Sequence, residues 1–132
     1  MPRIVARLTY ELPTWGSQWQ IDETPEQQFD SLTEVYAAGE TLTYDRQFKP
    51  LVSLGSGIWE LKTADLRIFG WFHQRDCFVA TNLDLADRIK MYRMYAGYVG
   101  EAVRDRDALT LDEPKFIEGD NPHDVVSAFD YP

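Results

Sequence analysis

The run "GSGIWELKTADLRIFGWFHQRDCFVAT", residues 55–81, constrains the fold more than any other part of the chain. It holds three alternating stretches joined by links of a few residues, "TAD" and "HQRD". Links that short leave no room for crossovers, so the economical arrangement is an antiparallel meander. Successive side chains on a strand point to opposite faces. In "IWELKT", Trp59 and Leu61 therefore share one face and Glu60 and Lys62 the other. In "LRIFGWFH", Leu66, Ile68 and Phe72 lie opposite Arg67, Phe69, Trp71 and His73. Both faces of this middle strand are rich in apolar groups. It is expected to be central, covered on one side and partly covered on the other. Cys77 opens the third strand, "DCFVAT", and reads as a small buried residue.

The flanks supply the other elements. "RIVARLTYEL" alternates Ile4, Ala6, Leu8 and Tyr10 with polar residues, which predicts a strand ended by Pro13 and Gly16. "TPEQQFDSLTEVYAAG" carries helix punctuation: Thr24 as cap, Pro25 at the first helical position, Gln27 completing a capping box and Gly39 as the stop. "ETLTYDRQFKPLVSLGSG" reads as a connection. "LADRIKMYRMYAGYVGEAVRDRDAL" reads as one long helix with an apolar stripe through Leu85, Ile89, Tyr92, Ala96, Val99 and Val103. Gly97 and Gly100 are the points where that helix could bend. The organisation expected is one domain over residues 1–111. An acidic tail over 112–132 should be extended or partly disordered, with Phe116 and Ile117 tucked onto the body.

Charge narrows the function. The formal net charge is −9, divided as −5 over residues 1–47, +1 over 48–111 and −5 over 112–132. Only the middle could approach a polyanion without repelling it. A single cysteine excludes an internal disulfide and fits a reducing compartment. No apolar run has the length of a membrane span, and the start "MPRIVARLTYEL" lacks the apolar core of a signal peptide, so the expected location is cytoplasmic. Two histidines and one cysteine, far apart, make no metal-site spacing, and no cofactor motif is present.

Metal-free RNA cleavage needs a base for the 2′-hydroxyl, a cation for the pentacoordinate phosphate and an acid for the leaving oxygen. Aromatic faces can hold splayed bases. Lys62, Arg67, His73 and Arg75, with Phe69 and Trp71, are residues of those types on one small sheet. Lys62 and Arg67 flank one tight link and can share a face. Arg88, Lys90 and Arg93, early in the predicted helix, could form a phosphate clamp; the plainer reading pairs them with Asp84 and Asp87. Glu60, Asp65 and Asp76 read as salt partners, and His123 as part of a turn.

Taken in order, Leu54 to Lys62 ("LGSGIWELK"), Arg67 to Phe72 ("RIFGWF") and the apolar third strand at Phe78 to Ala80 resemble the RelE/HigB-like toxin superfamily, in particular its phage-derived HigB-like branch. The likeness spans roughly residues 48–90. It implies an α+β fold, a small twisted antiparallel sheet with helices packed on one side. It also implies a toxin of a type II toxin–antitoxin system that cleaves mRNA on the ribosome without a cofactor. The candidate partners are mRNA, an antitoxin protein and a second copy of the chain, with no membrane. The family's basic residues fall on Lys62 and Arg67. The expected catalytic set is Lys62, Arg67, His73 and Tyr92, and the expected RNA contacts are Trp71, Arg75, Arg88 and Lys90. The alternative is a non-catalytic, prophage-derived protein or interaction module on the same fold, because toxins of this kind are usually basic and this chain is acidic.

Overall fold

The computed structural model describes residues 2–19, 21–52 and 57–132. Most of the turn read at "GSG", and the start of the "LGSGIWELK" motif, lie outside the described residues. In chain order the elements are helix α1 (Arg3–Ala6), helix α2 (Pro25–Ala37), strands β1 (Leu42–Thr43), β2 (Phe48–Pro50), β3 (Trp59–Lys62), β4 (Leu66–Gln74) and β5 (Cys77–Leu85), helices α3 (Ala86–Met91), α4 (Tyr95–Ala108) and α5 (Pro122–Val125), and strand β6 (Phe129–Asp130). The fold is α+β. No helix among the described residues is long and apolar enough to cross a membrane.

The meander forms as its alternation predicts. β3, β4 and β5 are its three strands, and β2, from the segment read as a connection, adds a fourth, so that β2, β3, β4 and β5 make an antiparallel sheet in that order. β4 turns into β5 through Arg75 and Asp76, where Asp76 takes a left-handed backbone that aspartate tolerates. Gly70 sits where β4 and β5 shift register. A Cβ there would lie 2.0 Å from the Val79 carbonyl oxygen, so only glycine permits the approach.

Helices cover both faces of the sheet, not one. Trp59, Leu61, Ile68 and Phe72 pack toward Leu32 of α2 in one core. Phe69 and Trp71 pack with Tyr98, Val99 and Ala102 of α4 in a second. The reason is in β4 itself, whose residues from Leu66 to Phe72 are all buried. A strand apolar on both sides has to be covered on both sides.

Several flanking elements differ from expectation for identifiable reasons. Residues 3–14 are helical, running from α1 through a π-helical turn (Arg7–Glu11) and a 3-10 turn (Leu12–Thr14). Ile4, Leu8 and Leu12, four residues apart, belong to the first core. Every fourth residue satisfies a period of two as well as one helical face, so the alternation admitted both readings. Long-range pairs then favour the helix: Arg3 bonds Glu101 and Asp105, and Arg7 pairs with Asp84, while Arg7 also makes an i,i+4 pair with Glu11. The predicted long helix is two. After α3, Arg93 adopts φ 53°, Arg93 N–H donates to Lys90 O and Met94 N–H to Ile89 O. This is a Schellman stop, placed before the two glycines expected to bend the helix. Tyr92, expected on the apolar stripe, is exposed.

The helix start at Thr24 carries both hydrogen bonds of the capping box. Residues 112–132, expected to be extended or partly disordered, contain α5 and β6. β6 pairs in parallel with β1, and Val125 and Val126 are buried in the first core. Cys77, expected to be buried, is exposed at the start of β5.

Trp59 is fully buried, stacked on Phe48 and edge-on to Phe72. Trp59→Ala should cost about 3–5 kcal/mol of stability in denaturant unfolding monitored by circular dichroism.

Candidate functional site

Strand register brings the two expected phosphate-holding cations together. Lys62 on β3 is the partner of Arg67 on β4, Glu60 pairs with Phe69, and Arg67 pairs across to Asp84 on β5. Lys62, Glu60, Arg67 and Asp84 thus fall on the sheet face that α4 covers. The shared face is as the meander predicts, but its exposure is not. Arg67 is only 8% exposed. Its Nη1 donates to the carbonyl oxygens of Thr63 and Leu66, both at 2.8 Å, and its Nε has no partner. Glu60 is 2% exposed, with Oε2 unpaired.

Three ionisable groups register this burial. The Glu60 carboxyl is held above the usual carboxylate range because desolvation outweighs the attraction of Arg67 and Lys62. The Lys62 ammonium is pushed down by burial and by the charge of Arg67, and its Nζ donates to the Asp45 carbonyl oxygen at 2.8 Å. The Tyr95 phenol, at the first position of α4, is pushed up by burial and by the charge on Glu60. Tyr95 also packs edge-on to Phe69, with 5.7 Å between ring centres. Together these residues supply a cation pair, a carboxylate with raised proton affinity and a phenol. The deepest two, Arg67 and Glu60, are already beside one another and beneath α4.

Next along the same face lies a second polar cluster. Asp84 is fully buried and accepts a 2.5 Å hydrogen bond from the Tyr98 hydroxyl. Arg7 and Arg88 approach the carboxylate at 3.4 and 3.5 Å. Arg7 Nη1 also donates to Tyr98 Oη at 2.9 Å and to Leu83 O at 2.8 Å. Burial and the bond to Asp84 push the Tyr98 hydroxyl up to about 12. The cluster is internally satisfied and ties the π-helical turn at Arg7, β5, α3 and α4 together.

The remaining expected residues do not converge. Trp71 is completely buried in the second core, so no nucleobase can stack on it. His73 is half-buried, with Nδ1 2.9 Å from the Lys115 carbonyl oxygen. It lies six residues along β4 from Arg67, about 20 Å away at strand rise. Arg75 is exposed in the β4–β5 turn. Arg88 pairs with Asp84 and lies 5.4 Å from the Trp15 ring, as the plainer reading of the helix charges held. Lys90 and Tyr92 are exposed on and just after α3. Asp65 and Asp76, read as salt partners, instead accept hydrogen bonds: Asp65 from Gln18 N–H and the Gln28 side chain, Asp76 from Ser127.

Sequence reasoning missed Glu60 as a member of the Lys62–Arg67 group, although strand alternation already placed it on their face. It had no signal for Tyr95, Arg7 or Tyr98, which arrive from helices far along the chain. Compared with protein-family models, curated proteins and solved structures, the chain has no match.

Two measurements test this description. Arg67→Ala removes the buried donor to the Thr63 and Leu66 carbonyl oxygens and should cost roughly 1–3 kcal/mol. The half-exposed Lys62→Ala should cost under about 1 kcal/mol, both by denaturant titration. Glu60 binds its proton more tightly folded than unfolded. Its contribution to stability is therefore greatest below the ordinary glutamate range and falls as pH rises through the interval up to its raised folded value. The melting temperature of the wild type relative to Glu60→Gln should fall as pH rises from acid toward neutral.

Proposed function

We propose that this chain is a non-catalytic interaction module on a RelE/HigB-like framework. The observation that carries the reading is the burial of Arg67. A phosphate-stabilising cation has to meet its substrate, and this one is 8% exposed, bonded to two backbone carbonyls and set beside the Glu60 carboxylate under α4. The acidic surface supports the same reading. At a net charge of −9, the long-range field repels RNA instead of gathering it.

One observation favours the endoribonuclease reading. Lys62 and Arg67 face each other across β3 and β4, beside a carboxylate of raised proton affinity and the Tyr95 phenol. Acid–base cleavage of an mRNA on the ribosome, restrained by an antitoxin, would use groups of these types once α4 moved aside.

Induced expression in a bacterial host separates the two. As a module, the wild type and Lys62→Ala should leave growth and message length unchanged, and purified protein should leave mRNA intact on translating ribosomes. Growth arrest with shortened message, relieved by Lys62→Ala, would overturn the module reading in favour of the toxin.

A further inference from the structure

A hollow of about 300 Å³ lies between α2 and the sheet, on the face opposite the Lys62–Arg67 cluster. Its walls include Phe29, Leu32 and Ala37 of α2 and Ile68, Phe78 and Ala80 of the sheet. Phe29, Phe78 and Ala80 are only half-buried, so apolar surface is left wet in this recess.

α2 carries a second feature beside the recess. Its charged residues are Glu26, Asp30 and Glu34, with no lysine or arginine. None of the three makes an ion pair among the described residues. They stand four residues apart and so form one row with a step of about 6 Å. At about 100° per residue the row runs beside Thr33 and Ala37, which are exposed at the rim of the hollow. Beyond its first turn the helix gains nothing from these charges. Glu26 suits the positive end of the dipole, but Glu34 lies in the last turn, at the negative end, where no basic residue offsets it. Like charges at four-residue spacing also repel, and Asp30 repels a neighbour on either side. Counter-charge for this row has to come from outside the helix. An apolar recess beside charge of one sign is the kind of surface that receives an amphipathic helix. The sign of the row, in a chain of net charge −9, selects a basic one.

We propose that this face receives a basic amphipathic helix from a partner protein, laid along α2 with an apolar side chain in the hollow and cations one turn apart against Glu26, Asp30 and Glu34. Packed helices run about 8–10 Å apart, within reach of a lysine or arginine side chain. A helix with a cation at every fourth position matches the row step for step. The proposal names the partner class for the interaction-module reading and rests on that reading.

The test is titration of the full chain at low salt with an alanine-based helical peptide of about sixteen residues. Lysine occupies every fourth position, with leucine three positions after each lysine. Two control peptides replace every lysine by glutamate or every leucine by alanine. Saturable binding of the lysine–leucine peptide is expected, with shifts in protein-observed NMR centred on Phe29, Thr33, Ala37 and Phe78. Both controls should bind several-fold more weakly or not at all. Asp30→Lys turns both repelling pairs of the row into attracting ones. The melting temperature should therefore hold or rise while peptide binding falls several-fold. Thr33→Trp, at an exposed helix position, should block the recess and abolish binding. No saturation, equal binding by either control, shifts on another face, or undiminished binding to Asp30→Lys would each overturn the proposal. So would a lowered melting temperature in Asp30→Lys, which would give the carboxylates to the fold. A wild-type dimer that Asp30→Lys dissociates and the peptide leaves intact would give the face to a second copy of the chain and overturn it too. The assay contains neither ribosomes nor message. Its failure is therefore distinct from growth arrest relieved by Lys62→Ala, which overturns the module reading.

Discussion

The structure depends on one constraint: β4 is apolar on both of its faces and cannot be left wet on either. Ile68 and Phe72 demand a cover on one side, Phe69 and Trp71 on the other. α2 answers the first demand and α4 the second. The order of the meander, with β3 and β5 as hydrogen-bonding neighbours, follows from placing that strand inside the sheet. Close approach at Gly70 completes the arrangement, because β5 could not sit so near a side chain.

Covering the second face has a chemical consequence. The residues sharing that face with Phe69 include Glu60, Lys62, Arg67 and Asp84, so the helix that buries aromatic surface also buries charge. Charge removed from water has to be paired or hydrogen-bonded. Asp84 is fully answered by Tyr98, Arg7 and Arg88. The Glu60–Arg67 group is answered less completely, with an unpaired atom on each. That asymmetry divides the face into a structural clamp at Asp84 and a polar group in which burial pushes the Glu60 carboxyl up. The chain as a whole carries a formal net charge of −9.

The parts of the fold legible beforehand were those written in local spacing. The three strands up to Thr81, the capped helix at Thr24 and the shared face of Lys62 and Arg67 all follow from periodicity and cap chemistry read over a few residues, while β5 runs on to Leu85, which reads as helix by its spacing. The misread parts are those where local spacing admits two answers. Ile4, Leu8 and Leu12 fit a strand and a helix equally, and the choice came from Glu101, Asp105 and Asp84, far along the chain. The break at Arg93 carries no glycine or proline to announce it. Residues 112–132 looked like an acidic tail, yet β6 finds β1 some ninety positions earlier, and Val125 and Val126 find the core.

By itself, then, the amino-acid order determined which residues alternate, where the meander turns, which cations share a face and how much negative charge the chain carries. These are properties of neighbours, set by strand and helix geometry and by simple counting. Only the tertiary structure decided whether those cations meet water. Exposure depends on what packs above a residue, and the helix that roofs Arg67 begins at Tyr95, nearly thirty positions further along the chain.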